Sequence, residues 1–453
     1  MTNPRIAEEA RTALRRHVLE PLAPRCVDRE YGGFLVDFDE RWRPAGPHDK
    51  TLEHASRTTI AFALADRAMP GEGCDQLVRH GCAFLQTTMW DMAHGGFFAR
   101  VDRGGRPSWD GLKHPHAATY AARAFLLSEP CLPPGEGRLW AQRALAWLDD
   151  VAWDSTYGGY WGSFRRNNER YPDGARLPTP DGRDVVGLTT GFKELNTLGD
   201  AIEMLTEFVA HGVGDRCAER LAYLVDLVVN KLSDSNGVLP YLYRRDWRPV
   251  PDLARAGQQF QMIYRLVDAA AIGGETNLVT RACELADFCL ASARHPAGGF
   301  CFAVSGDGRT WPSTGPTTDL RQWWVQLEAV HALHVLATHP AVPQHHRVRY
   351  AQALEEQWAF LRDHYFDLRF GGIRELPAEP SKPWRAPLPR WLRSKPQATL
   401  PKTHGWKDPL HEVAAFLALG EVNKIDAAAD SGVGARGGQP AFPAKPASNL
   451  STT

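Results

Sequence analysis

The sequence predicts an all-α protein, an (α/α)6 barrel of six helical hairpins with short β-hairpins in the loops at one mouth. A glycine-centred turn that returns along the chain, paired helical stretches between successive turns, and a 43% hydrophobic composition over 453 residues predict it. That apolar fraction is enough to bury one large core or two ordinary ones. The turn reads VDREYGGFLVDFD from Val27, WDMAHGGFFARVD from Trp90 and WDSTYGGYWGSF from Trp153. It returns as SDSNGVLPYLY from Ser233, RHPAGGFCFAV from Arg294 and FDLRFGGIRE from Phe366. Taking the second glycine of each pair, or the lone Gly237, the positions are 33, 96, 159, 237, 299 and 372, in steps of 63, 63, 78, 62 and 73.

A glycine pair suits a tight turn into a hairpin, where φ is positive and a side chain would clash. After it, the stretches Ala55–Arg67, Ala117–Ser128, Leu195–Val209 and Trp323–Ala337 carry apolar residues at three- and four-residue spacing, which predicts helices. Gly73–Thr87, Gly137–Asp149 and Asp215–Leu232 read as their amphipathic partners. Such hairpins cannot bury their faces singly, whereas a closed ring of six pairs can. Two connections are longer, Arg165–Gly191 and Leu376–Thr403, and long loops at one mouth are where binding residues collect. The barrel domain is expected over residues 1–426. Residues 427–453, a Gly, Ala, Pro and Ser mixture without periodicity, read as a disordered tail.

Composition narrows the function. Fifty-two basic against 53 acidic residues leave a net charge of −1, with no positive excess to gather nucleic acid or a membrane surface. The longest apolar runs, such as Ala141–Leu148 and Leu221–Val229, fall short of the roughly 20 residues a bilayer requires. Met1–Arg15 lacks the pattern of a secretory signal, and eight scattered cysteines without a C-x-x-C pair read as reduced thiols of a cytoplasmic protein. The pairs His114 with His116 and His345 with His346 have no companions at metal-ligand spacing, so no metal is assigned. Nucleotide-binding and nucleophile-elbow motifs are absent, so no cofactor is assigned. The expected partner is a small-molecule substrate, met by a monomer or homodimer.

In a ring, the starts of equivalent helices converge on one mouth. They offer Arg57, Lys113 with His116, Asn196 with Asp200, Gln258 with Gln261, Trp324 with Glu328, and Trp406 with His411. Several of these pairs are spaced three or four apart, so each projects from one helix face. A polar face turned into a barrel is costly unless it meets water or ligand, and that cost argues for a site.

The six-unit layout, with GGFLVDFDERWRP, HASRTTIAFAL, FKELNTLGDAIEML, RQWWVQLEAVHAL and HGWKDPLHEV, resembles the N-acylglucosamine 2-epimerase family, which also contains cellobiose 2-epimerases and aldose-ketose isomerases. The resemblance covers about Ala10 to Ile425 and implies the same barrel. By position, Arg57, Asn196, Trp323, Trp324, Gln326, Glu328, Trp406, Lys407 and His411 match residues that surround the sugar in that family. It also implies a mechanism in which two histidines open the ring and move a proton at C2 through an enediolate. The sequence departs from that pattern. Asp200 stands where the family has a histidine in the third unit, and the fourth-unit G-H-x-x-E reads Gly257, Gln258, Gln259, Phe260, Gln261. An amide cannot relay a proton near neutral pH.

The resulting expectation is an epimerase- or isomerase-like enzyme with His411 as the proton-transferring residue and Asp200 as its partner. Glu328 is a further catalytic candidate, Arg57, His116, Asn196, Gln258, Gln261, Trp324 and Trp406 are expected to bind substrate, and Lys407 is expected to be solvated. Two other readings keep the barrel: a hydrolase, lyase or cyclase using Asp200 or Glu328 as general acid, and a binding protein without turnover.

Overall fold

The structure, a computed structural model, describes residues 3–233, 237–250, 254–274, 276–304, 320–378 and 400–420. Twelve principal helices run through the described residues. They are α1 (Pro4–Ala13), α2 (Leu52–Ala68), α3 (Cys74–Phe84), α4 (Pro115–Leu127), α5 (Glu136–Trp147), α6 (Leu195–Ala210), α7 (Cys217–Asn230), α8 (Ala256–Gly273), α9 (Thr276–Ser292), α10 (Trp323–Thr338), α11 (Gln344–Tyr365) and α12 (Leu410–Leu419). The even-numbered helices form an inner ring in which α2, α4, α6, α8, α10 and α12 each pack on the next, and α12 packs back on α2. The odd-numbered helices form an outer ring: α3 lies on α2, α5 on α4, α7 on α6, α9 on α8, α11 on α10, and α1 on α12. This is the expected (α/α)6 barrel.

Burial follows from the two rings. Every residue of α2 from Leu52 to Ala65 is buried, as is every residue of α4 from Pro115 to Leu126, because an inner helix has protein on all sides. An outer helix such as α3 buries one stripe, Cys74, Val78, Gly81, Cys82 and Phe84, and shows water the rest. All eight cysteines are free, and all but the half-buried Cys283 are buried.

The glycine turns feed the N-termini of the inner helices, so they gather at one mouth. Each double-glycine turn that follows an aspartate is built alike. Asp91 N–H donates to the Gly96 carbonyl (2.8 Å), Gly95 N–H donates to the Asp91 carbonyl (2.8 Å), and the Asp91 carboxylate accepts from Ala93 N–H. Gly96 has φ 74°, and a Cβ there would lie 2.4 Å from Nε1 of Trp147, so glycine is required twice over. A lysine near the start of the inner helix is buried against the same aspartate: Lys50 on Asp28 (3.0 Å), Lys113 on Asp91 (3.2 Å), Lys193 on Asp154 (3.0 Å) and Lys402 on Asp367 (2.6 Å). Lys113 is thus part of the scaffold.

Two-residue antiparallel ladders tie one unit to the next. β1 (Lys50–Thr51) pairs with β2 (Arg100–Val101), β3 (Lys193–Glu194) with β4 (Leu242–Tyr243), and β5 (Ala254–Arg255) with β6 (Ala303–Val304). The long loop Arg165–Gly191 is described and packs Tyr171 and Leu177 against Leu112. Most of the loop Leu376–Thr403 and the whole expected tail, 427–453, lie outside the described residues.

Candidate active site

At the mouth, one residue near the start of each inner helix forms an upper layer: Glu53, His116, Asn196, Gln258, Trp324 and His411. One helical turn deeper come Arg57, Tyr120, Asp200, Gln261 and Glu328. The side chains of these layers meet across the seams between neighbouring inner helices and form two groups.

The first group joins α8, α10 and α12. His411 Nδ1 lies 2.5 Å from Glu328 Oε1, and Gln261 Nε2 donates to the same oxygen at 3.3 Å. Among the described residues no hydrogen bond engages the other ring nitrogen of His411, Nε2. The Trp324 indole lies tilted against the imidazole, with centroids 5.7 Å apart, and its Nε1 donates to Gln322. Gly257 makes room for it, since a Cβ there would sit 1.9 Å from the indole. Gln258 Nε2 donates to Asn196 Oδ1 at 3.4 Å, closing the mouth on the α6 side.

The second group joins α2, α4, α6 and α8. Arg57 contacts Asp408 (2.9 Å), Glu53 (3.3 Å) and the Tyr120 hydroxyl (3.4 Å). Asp200 is fully buried and accepts from Arg265 (2.6 Å) and the Tyr120 hydroxyl (2.8 Å), while His116 Nδ1 lies 2.8 Å from its other oxygen. His116 Nε2 faces Glu53 at 3.5 Å. Deeper still, Arg265 and Arg123 both hold Glu203.

Electrostatics follow the pairing. Burial alone would raise the Asp200 pKa, but the Arg265 guanidinium and the His116 contact outweigh it and hold the carboxyl below the usual range. Burial would lower that of His116, yet Glu53 and Asp200 hold the imidazole well above its ordinary value. Asp408 is kept low by Arg57 against its own burial.

The expected residues fall into place unevenly. His411, Glu328, Trp324, Gln261, Gln258 and Asn196 come together at one side of the mouth, and Arg57, His116 and Asp200 at the other. Trp406 sits on the rim, 53% exposed. Two expectations are corrected. The partner of His411 is Glu328, because Asp200 is turned to the Arg265 side and held there by the Arg265 and Tyr120 donors and the His116 contact. Lys407 is not solvated: it is buried, and its ammonium donates to the Ile373 carbonyl at 2.8 Å over the Trp323 ring. Burial lowers its pKa to about 8. The sequence reading missed Glu53, Tyr120, Arg265 and Asp408. Glu53 had a signal, since it precedes Arg57 by one turn. Arg265 is hidden in the apolar run FQMIYRLV. Among the described residues no cluster of three or more His, Cys, Asp or Glu is disposed to hold a metal ion.

Comparison with known proteins agrees with this fold. The N-acylglucosamine 2-epimerase (GlcNAc 2-epimerase) family matches over residues 32–174. Over that segment the chain is similar to the family. It is 22% identical to the cellobiose 2-epimerase of Bacteroides fragilis over 331 residues, 72% of this chain and 80% of that protein. The structure of cellobiose 2-epimerase from Bacillus thermoamylovorans superposes with a TM-score of 0.76 at 20% identity, covering 92% of this chain and all of the other. That of D-mannose isomerase superposes with a TM-score of 0.75 at 18% identity, covering 93% and 100%. At these identities the superpositions speak for the shared barrel. The family match supports a sugar epimerase- or isomerase-like activity on a small-molecule substrate. No helix of the described residues is long and apolar enough to cross a membrane.

Proposed function

We propose that this N-acylglucosamine 2-epimerase relative is an aldose-ketose isomerase acting on a reducing sugar, with His411 as the base at carbon. One observation carries the reading: the 2.5 Å contact of His411 Nδ1 with Glu328, which leaves Nε2 for substrate. A carboxylate that accepts Nδ1–H fixes the tautomer, turns the Nε2 lone pair outward and stabilises the imidazolium once it forms. Nε2 then takes the C2 proton of the open-chain sugar. Gln261 steadies the carboxylate without competing for the proton.

Stereochemistry favours isomerisation over epimerisation. A single base returns its proton to the face from which it came, and delivery to C1 gives a ketose. Inversion at C2 needs a donor on the opposite face. The family's fourth-unit histidine position holds Gln258, whose amide donates to Asn196 and cannot carry a proton. Trp324 offers a flat apolar wall beside His411 for a sugar face. The kinship with D-mannose isomerase and cellobiose 2-epimerase makes mannose and cellobiose the first sugars to try.

The test is turnover of those sugars in heavy water. The wild type should convert an aldose to its ketose, with little deuterated C2 epimer. His411→Asn should lower kcat by about 10² to 10⁴, the usual scale for a lost general base. An active His411→Asn enzyme would refute the assignment, and fast deuterium entry at C2 with inversion would refute the single-base argument.

A further inference from the structure

Moving hydrogen from C2 to C1 is half of an aldose-ketose interconversion. The other half moves a proton from O2 to O1, and His411 cannot perform both at once. Glu53 occupies the upper layer on α2, and α2 packs directly against α12, which carries His411. Neighbouring helices lie about 8–10 Å apart, a span that one sugar can bridge.

The two groups are mirror arrangements of the same parts. On α12 an imidazole stands in front, its side chain 11% exposed, with the more deeply buried carboxylate of Glu328 behind it. On α2 a carboxylate stands in front, the Glu53 side chain likewise 11% exposed, with the imidazole of His116 behind it at 1%. Arg57 Nη1 holds Glu53 Oε1 from below at 3.3 Å, and Asp200 holds the far nitrogen of His116 at 2.8 Å. The position where the family has its third-unit histidine thus holds a carboxylate that braces an imidazole on the adjacent helix.

We propose that Glu53 is a second catalytic residue, the carboxylate that carries the proton between O2 and O1, and that His116 is its positioning partner and proton reserve. This rests on the isomerase reading above. As His411 takes the C2 proton, the C–H electron pair becomes the C1–C2 double bond and the carbonyl pair passes to O1. O1 takes a proton that His116 Nε2 passes through the Glu53 carboxylate, which leaves Glu53 ionised and His116 neutral. When the enediol collapses, the O2 proton returns through Glu53 to His116, the C2–O2 carbonyl forms, and His411 places its proton on C1. The sugar has exchanged an aldehyde for a ketone, and both groups regain their starting state. The two carboxylates around His116 keep it protonated near neutral pH, as the reserve requires.

The experiment uses the full chain with Glu53→Gln, Glu53→Asp and His116→Gln, each checked for an unchanged melting transition. Glu53→Gln should lower kcat by about 10² to 10⁴ with KM little changed, and Glu53→Asp should recover part of it. The double variant Glu53→Gln, His116→Gln should be little slower than the slower single one, because the pair acts as a unit. Imidazole ¹⁵N spectra of the unliganded wild type at pH 7 should show both His116 nitrogens protonated, with the signal altered in Glu53→Gln. This readout needs no substrate and no variant that folds poorly. Wild-type turnover in Glu53→Gln beside an inactive His411→Asn would overturn the proposal and leave the isomerase reading standing, as would a neutral His116 in the wild type. Activity in His411→Asn, or no turnover of any reducing sugar by the wild type, would overturn the isomerase reading and this proposal with it.

Discussion

Replacing Gly257 by alanine puts the site's geometry to a direct test, because two opposed effects can be weighed in advance. A Cβ at this position would lie 1.9 Å from Cζ3 and 2.3 Å from Cη2 of Trp324. Carbon atoms sit comfortably at about 3.5–4.0 Å, so the indole must withdraw by roughly 2 Å. It cannot withdraw alone, since it rests on the His411 ring and its Nε1 donates to Gln322 at 2.8 Å. In stability, overpacking costs about 1–3 kcal/mol. Against that, alanine in place of glycine favours a helix by up to about 1 kcal/mol. The net loss should stay within about 2 kcal/mol. Activity should suffer more, because misplacing a catalytic group by about 1 Å can cost 10²-fold. Melting temperature and kcat/KM measured on the same preparation check this: a modest fall in the first and about a hundredfold fall in the second. A Gly257→Ala enzyme with full activity would mean that the indole does not bear on Gly257 and does not set the His411 ring.

Two further predictions concern pH. Asp154 is buried, which opposes ionisation, but Arg245 and Lys193 more than compensate and lower its pKa to about 2 from an unfolded value of 3.8; Asp28, Asp91 and Asp367 are lowered in the same way. Between those values the unfolded chain binds more protons, so stability present above pH ~4 is lost as pH falls toward 2. Asp154→Asn should lower the urea midpoint at pH 7 and flatten its decline through this window, and an unchanged slope would refute the role. Glu412 behaves oppositely: burial raises its pKa to about 7 from 4.5, so the folded state holds the extra proton and stability is lost as pH rises through 7. Glu412→Gln should hold its melting temperature between pH 5 and 8 better than the wild type, and parallel curves would count against it.

The barrel was legible because its punctuation is local. D-x-x-x-G-G places an aspartate and two positive-φ glycines within one turn, and the helical periodicity between turns does not depend on distant residues. The site was legible where one helix face carries a pattern, as with Trp324 and Glu328. Partner choice was not. Asp200 and Glu328 are both lower-layer carboxylates in sequence, and which one meets His411 depends on the order of the ring, in which α10 packs on α12 while α6 packs on α4 and α8. Lys407 was misread because a lysine beside a tryptophan in a loop looks solvated, whereas the chain folds its ammonium onto the Ile373 carbonyl. Glu53 passed unnoticed because an acidic residue in a first helical turn is ordinarily explained by the helix dipole.

The ring is closed by its own ends. Helix α1 packs on α12, Arg11 reaches the Gly420 carbonyl across 409 residues of sequence, and Trp358 donates to Glu9 across 349. A chain synthesised from its N-terminus therefore makes one side of the final seam first and must wait for the other until nearly every unit has been translated. Until then α2 lacks the neighbour that carries His411, and Arg57 lacks Asp408, so a charge destined for burial stays open to water. The candidate site and the closed ring are completed by the same helix, and an interrupted chain exposes an unfinished surface that lacks His411.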